Sequence, residues 1–137
     1  MVDNLSKSVR SKIMRSIKSS DTRPELLVRK LVLSLGYRYR LLKPKLPGRP
    51  DLIFPGRKKV IFVHGCFWHA HFWLTPKCPI AREPDGEYWK NKLMSNKERD
   101  DRIIRVLQDA DWESLVIWEC ELSDDMLIRK KLVQFLA

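Results

Sequence analysis

Residues 46–71, "LPGRPDLIFPGRKKVIFVHGCFWHAH", decide how this chain folds. They hold two short apolar runs, "DLIF" and "KKVIFV", with the turn "PGR" between them. Runs rich in β-branched and aromatic residues, bounded by Pro and Gly, read as strands, and a turn this short makes them neighbours in one sheet. Upstream, "YRYRLL" (37–42) alternates with a period of two and is expected to add another strand. Downstream, "SLVIWEC" (114–120) has the unbroken apolar character of a buried strand.

Between and around these strands the period changes to that of helices. Leu5, Val9, Ile13 and Ile17 recur every four residues, which predicts a basic N-terminal helical arm within residues 1–20. "TRPE" (22–25) has the form of a capping box, with Thr22 and Glu25 three apart and Pro24 in the first turn. The helix it opens should end at Gly36. "EYWKNKLMSNKERDDRIIRVLQDA" (87–110) predicts a long helix and "SDDMLIRKKLVQFL" (123–136) a capped final one. The segment between His71 and the long helix, with Pro76, Pro79, Pro84 and Gly86, is expected to be a loop. The order α-α-β-β-β-loop-α-β-α describes a single α/β domain over residues 1–137, with a mixed central β-sheet flanked by helices.

The 137 residues carry a formal net charge of +10, and its placement is uneven. Residues 1–49 hold 13 Lys and Arg against 3 Asp and Glu, whereas residues 50–137 hold 14 of each sign. A polyanion such as nucleic acid is the natural partner for such a face. No segment is long and apolar enough to span a membrane, and the basic N-terminus lacks the apolar run of a secretory signal. A cytoplasmic location is therefore expected, where three cysteines serve better as buried thiols or metal ligands than as disulfides.

Residues 63–78, "VHGCFWHAHFWLTPKC", contain all three histidines, two of the three cysteines and four large aromatics. Cys66, His71 and Cys78 supply three zinc ligands within thirteen residues. Cys120, closing "VIWEC" at a strand end, is a feasible fourth, because a strand end can sit beside the loop that follows a neighbouring strand. From the residues alone, His69 serves as well as His71. Asp51 stands at the edge of the "DLIF" strand, where a carboxylate can hold Mg²⁺ against a phosphodiester. The alternative for an Asp after Pro is a turn residue. Hydrolysis needs a base near neutrality, a window that imidazole fits, and His64 and His69 follow the next strand directly. Asp100 on the long helix either fixes the tautomer of one imidazole or lies on a solvated helix face beside Arg99 and Asp101.

Five blocks in order carry a resemblance: "RSKIMRSIKSSDTRPE", "LPGRPDLIF", "VHGCFWHAH", "EYWKNKLMSNKERD" and "VIWECEL". Together, from about Ser11 to Leu122, they resemble the very-short-patch-repair (Vsr-type) DNA mismatch endonucleases. The resemblance implies a restriction-endonuclease-like core with a structural zinc. It implies a Mg²⁺-dependent enzyme that nicks one strand of double-stranded DNA 5′ to the thymine of a T:G mismatch, the product of 5-methylcytosine deamination. It places Asp51 as Mg²⁺ ligand, with the backbone carbonyl of Val63 as a second, and His69 as general base oriented by Asp100. His64 falls near the scissile phosphate and Glu25 close to the site. Cys66, His71, Cys78 and Cys120 become the zinc ligands, although Trp73 stands where some members have the third cysteine.

The same resemblance implies that Phe67, Trp68 and Trp89 wedge into the base stack beside the mismatch. Met14 would approach from the N-terminal arm, and Lys7, Arg10, Lys12, Arg15 and Lys18 would neutralise phosphates. The expected form is a monomer, nucleoid-associated when bound to DNA. Two other readings fit the residues: a restriction-type endonuclease acting on matched DNA, and a non-catalytic, zinc-stabilised DNA-binding module.

Overall fold

Strand β2 (Lys59–His64) is central: it is buried along almost its whole length because it has a strand on either side. These elements come from a computed structural model that describes residues 21–137. The expected N-terminal arm, with Lys7, Arg10, Lys12, Met14, Arg15 and Lys18, lies outside the described residues. β1 (Leu52–Phe54) runs antiparallel to β2, in the register Leu52↔Ile61, Ile53↔Val60 and Phe54↔Lys59. β3 (Glu113–Trp118) runs parallel to it, from Lys59↔Glu113 to His64↔Trp118. A parallel pair needs a crossover, and the long helix provides it.

Four helices complete the described chain: α1 (Arg23–Ser34), the short α2 (His71–Leu74), α3 (Glu87–Asp109) and α4 (Asp125–Leu136). Alternation along β2 sorts them into layers. Ile61 and Val63 join Val28 and Val32 of α1 and Ile128, Leu132 and Leu136 of α4 in one core cluster. Val60 and Phe62 point the other way, onto Leu107 and Ile103 of α3 and Trp112. The sheet is thus covered on both faces, and each fully buried aliphatic side chain contributes roughly 1.5–3 kcal/mol. A third cluster forms beyond the strand ends, from Cys66, Ala70, Phe72, Cys78, Ala81 and Leu93.

The helix ends follow from their residues. Thr22 caps α1 by accepting from Glu25 N–H at 3.4 Å, but the Glu25 carboxylate reaches the N–H of Asp21 instead of that of Thr22, at 3.0 Å. At the other end Gly36 adopts φ 91°, and Tyr37 N–H and Gly36 N–H return to the carbonyls of Val32 and Leu33. This is a Schellman motif, which needs a left-handed residue at that point. Asp124 caps α4 through the N–H of Leu127 at 3.1 Å.

Two expectations are corrected. "YRYRLL" does not form a strand; Arg40 and Ile53 exchange one pair of hydrogen bonds, both 2.8 Å, and pairing stops there. The cause lies in its partner. β1 spans three residues between Pro50 and the Pro55–Arg57 turn, so its outer edge offers a single site for exchange. The mixed sheet therefore has three strands among the described residues. Residues 71–74, expected to be loop, form the helical turn α2.

Candidate active site and metal centre

The N–H of Asp51 donates to the Ile61 carbonyl at 3.0 Å, although Leu52 is the residue in register with Ile61. Two residues thus stand against one, in the manner of a bulge, a device that re-aims a side chain. The Asp51 carboxylate is turned onto the N–H of Val63, 2.6 Å away. A strand residue that exchanges hydrogen bonds sends its N–H and C=O to the same side. The Val63 carbonyl therefore shares the edge that Asp51 occupies. Glu25, buried in the first turn of α1, hydrogen-bonds the Asp51 side chain. It is held from the other side by Arg29 at 3.3 Å.

Burial, opposed by the Val63 N–H and reinforced by the charge of Glu25, raises the Asp51 pKa from 3.8 to about 7. Two carboxyl groups pressed together at a polar edge, with a proton standing in for a cation, fit a hard divalent ion.

In the same cavity, His69 Nδ1 lies 2.6 Å from Asp100 Oδ2. The Asp100 carboxylate can only accept, so Nδ1 donates to it and Nε2 is the ring nitrogen left for other partners. Of the two positions the residues allowed, Asp100 lies against an imidazole and is only 14% exposed. His64 stacks on His69 with ring centroids 3.7 Å apart and planes within 1°. Burial, then the neighbouring His69, lowers the His64 pKa to about 3, with Asp100 opposing and Arg99 assisting. His64 is therefore neutral at physiological pH. Asp51, Val63, His64, His69, Asp100 and Glu25 all line one cavity of about 830 Å³.

His69 and His71 part company at Ala70, which takes a left-handed φ of 55°. That conformation costs a residue with a Cβ about 1–2 kcal/mol. In an extended strand, residues two apart face the same side; the turn at Ala70 breaks this, sending His69 to the cavity and His71 to the cysteines. His71, Cys66, Cys78 and Cys120 each bring a ligand atom within 4.8 Å of the others. Cys78 joins this group despite its displaced place in the sequence, so Trp73 is not needed.

Strand register explains the fourth member. Cys66 and Cys120 each stand two residues past the pair His64↔Trp118, and the Cys120 N–H meets Cys66 Sγ at 3.3 Å. Burial pushes the Cys66 and Cys120 thiols up. Cys78 moves down: burial opposes this, but the N–H groups of Ala81 and Ile80 favour its thiolate. Burial lowers the His71 pKa, which favours the neutral ring that a metal ligand needs. Three thiols and one imidazole form a closed donor set suited to a structural zinc.

Phe67, Trp68 and Trp89 form one aromatic cluster, with centroid separations of 5.0, 5.8 and 5.7 Å. Phe67 and Trp68 are partly exposed, whereas Trp89, expected at the base stack, is fully enclosed. In this conformation Trp89 supports the other two from beneath. Asn96 holds the Trp68 carbonyl at 3.0 Å. Sequence reasoning missed Asn96 and three charged residues that line the cavity, Arg49, Arg99 and Glu119. Arg49 and Arg99 each lie within two residues of a predicted site residue, but no spacing pattern marked them.

Comparisons with known proteins place the whole chain in a family. The family model of the DNA mismatch endonuclease Vsr matches residues 2–75. The Type II nicking enzyme V.XorIIP of Xanthomonas oryzae pv. oryzae is 45% identical over 126 residues, covering 90% of this chain and 89% of that protein. The DNA mismatch endonuclease Vsr of Escherichia coli is 42% identical over 122 residues, covering 89% and 76%. The Type II nicking enzyme V.NmeAIP of Neisseria meningitidis is 36% identical over 132 residues, covering 96% and 92%. No helix among the described residues is long and apolar enough to cross a membrane. The chain belongs to the Vsr family of DNA mismatch endonucleases.

Proposed function

We propose that the protein is a Mg²⁺-dependent, strand-specific endonuclease that nicks double-stranded DNA 5′ to the thymine of a T:G mismatch. The observation that carries this reading is one cavity lined by two complementary pairs, Asp51 with Glu25 and His69 with Asp100. Asp51 and the Val63 carbonyl would hold Mg²⁺, which polarises the phosphodiester and favours ionisation of the attacking water. Glu25 holds the Asp51 carboxyl in place.

His69 Nε2 takes the proton from the attacking water, and the Asp100 carboxylate stabilises the imidazolium that results. Neutral His64 backs the ring of His69 and offers a hydrogen bond to a phosphate oxygen. The resulting hydroxide adds to phosphorus, the bond to O3′ breaks, and O3′ takes a proton from solvent water, leaving a 3′-hydroxyl and a 5′-phosphate. Zinc held by Cys66, His71, Cys78 and Cys120 would be structural, fixing the segment that carries His69.

Phe67 and Trp68, over the floor of Trp89, enter the base stack, with Met14 approaching from the N-terminal arm. Unstacking a step costs on the order of a few kcal/mol, and a mispaired step is easier to open. Insertion therefore favours the mismatch. Lys7, Arg10, Lys12, Arg15 and Lys18 neutralise phosphates, so affinity falls as salt rises. The protein acts as a cytoplasmic, nucleoid-associated monomer.

The test compares T:G and T:A duplexes, in 5-methylcytosine target contexts, with and without Mg²⁺. Nicking of the T:G duplex alone, on the thymine strand and only with Mg²⁺, is the expected result. Equal cutting of both duplexes, or cleavage of both strands of a matched one, would overturn the mismatch reading. Tight binding with no product would leave a DNA-binding module.

A further inference from the structure

The cavity is lined by four carboxylates, Glu25, Asp51, Asp100 and Glu119, and by two arginines, Arg49 and Arg99. Every carboxylate has a partner. Glu25 is paired with Arg29, Asp51 with the Val63 N–H, Asp100 with His69, and Glu119 with the Cys66 N–H at 3.4 Å. The arginines have none: both are exposed, and neither enters an ion pair or side-chain hydrogen bond among the described residues. Two guanidiniums beside partnered carboxylates, with their own donors unused, leave room for a further anion.

Their placement is specific. Arg49 sits two residues before Asp51 and takes a left-handed φ of 49°, next to Gly48 at φ 79°. A Cβ on Gly48 would lie 2.4 Å from Ile103 Cγ2, so the loop is seated directly on α3. Ile103 is one helical turn from Arg99. The loop that presents Arg49 therefore rests on the helix that presents both Arg99 and Asp100.

We infer that Arg49 and Arg99 bind the phosphodiester backbone of the cleaved strand at the reacting phosphate. The guanidinium fork matches two phosphate oxygens, which an ammonium cannot do. Charge grows on those oxygens as water adds to phosphorus, so both residues stabilise the transition state more than the bound substrate. This inference rests on the endonuclease reading above.

The test is single-turnover nicking of a T:G duplex by the full chain with Mg²⁺. Suitable variants are Arg49→Asn, which tolerates the left-handed backbone, Arg99→Gln, and Arg→Lys at each position. Zinc content of about one per chain checks that the variants fold. Each neutral variant should lower the nicking rate at saturating protein by about 10²-fold or more. It should also reduce the slope of log affinity against log salt by about 1. Lysine should restore the salt slope but not the rate.

Variants that nick at the wild-type rate would overturn the inference. So would lost affinity with an undiminished saturating rate, because it would place the arginines away from the reacting phosphate. Wild-type protein that fails to nick the T:G duplex would instead count against the proposed function itself.

Discussion

His69 Nδ1 lies 2.6 Å from Asp100 Oδ2, across 31 residues of chain. Asp100 comes from the crossover helix and His69 from the loop after β2, so the sheet topology makes the pair. Asp100→Asn should keep the fold and lower the nicking rate by about 10²–10⁴-fold, because His69 loses its tautomer and its counter-charge. Single-turnover kinetics at constant zinc content checks this; a loss below threefold would remove Asp100 from the mechanism.

His69 and His71 should separate cleanly on substitution. His69→Ala is expected to retain zinc and lose nicking, whereas His71→Ala is expected to lose zinc and then stability. Metal analysis and nicking, measured on the same preparations, give the comparison. Zinc loss from both variants would merge two sites that the structure keeps apart.

Cys78→Ser tests the displaced third cysteine. A ligand set within 4.8 Å should lose zinc when any thiol is removed, and the third core cluster built around it should loosen. Trp73→Ala should leave zinc bound. Metal content and thermal denaturation with and without chelator report both outcomes.

Asp51 gives a pH dependence with a definite sign. In the folded, metal-free protein its pKa rises from 3.8 to about 7, so ionisation is harder in the native state than in the unfolded one. The unfolded chain binds fewer protons across that window, and this group's contribution to stability falls as pH rises from about 4 to about 7. Mg²⁺ competes with the same proton. The increase in Tm on adding Mg²⁺ should therefore be larger at pH 8 than at pH 5.5, and Asp51→Ala should abolish both that increase and nicking. An equal Mg²⁺ shift in wild type and variant would place the ion elsewhere.

Gly48→Ala should destabilise the protein by roughly 2–5 kcal/mol, the sum of a left-handed backbone and an overpacked contact with Ile103. Urea denaturation measures the change. Gly56→Ala, where an added Cβ meets nothing within 4 Å, should cost far less.

Much of this protein is determined locally and is legible without coordinates. The strands "DLIF" and "KKVIFV", the long helix with Trp89 and Leu93, and the caps at Thr22, Gly36 and Asp124 follow from period, turn residues and side-chain oxygens near chain ends. Asp51 at a strand edge and a thiol-rich loop were visible as chemistry. What the residues could not settle were matters of partner and direction. "YRYRLL" alternates like a strand, but a strand needs an edge to pair with, and β1 is too short to offer one. His69 and His71 part at a turn that runs into a helix through a left-handed alanine, a conformation that no side chain announces. Cys120 reaches Cys66 because β2 and β3 are parallel and in a particular register, and Asp100 reaches His69 because the crossover helix packs across the sheet. Sequence determined which chemical groups and which elements this chain has. Tertiary structure alone decided which groups meet, because long-range pairing, register and the path of the crossover bring together atoms that no local pattern relates.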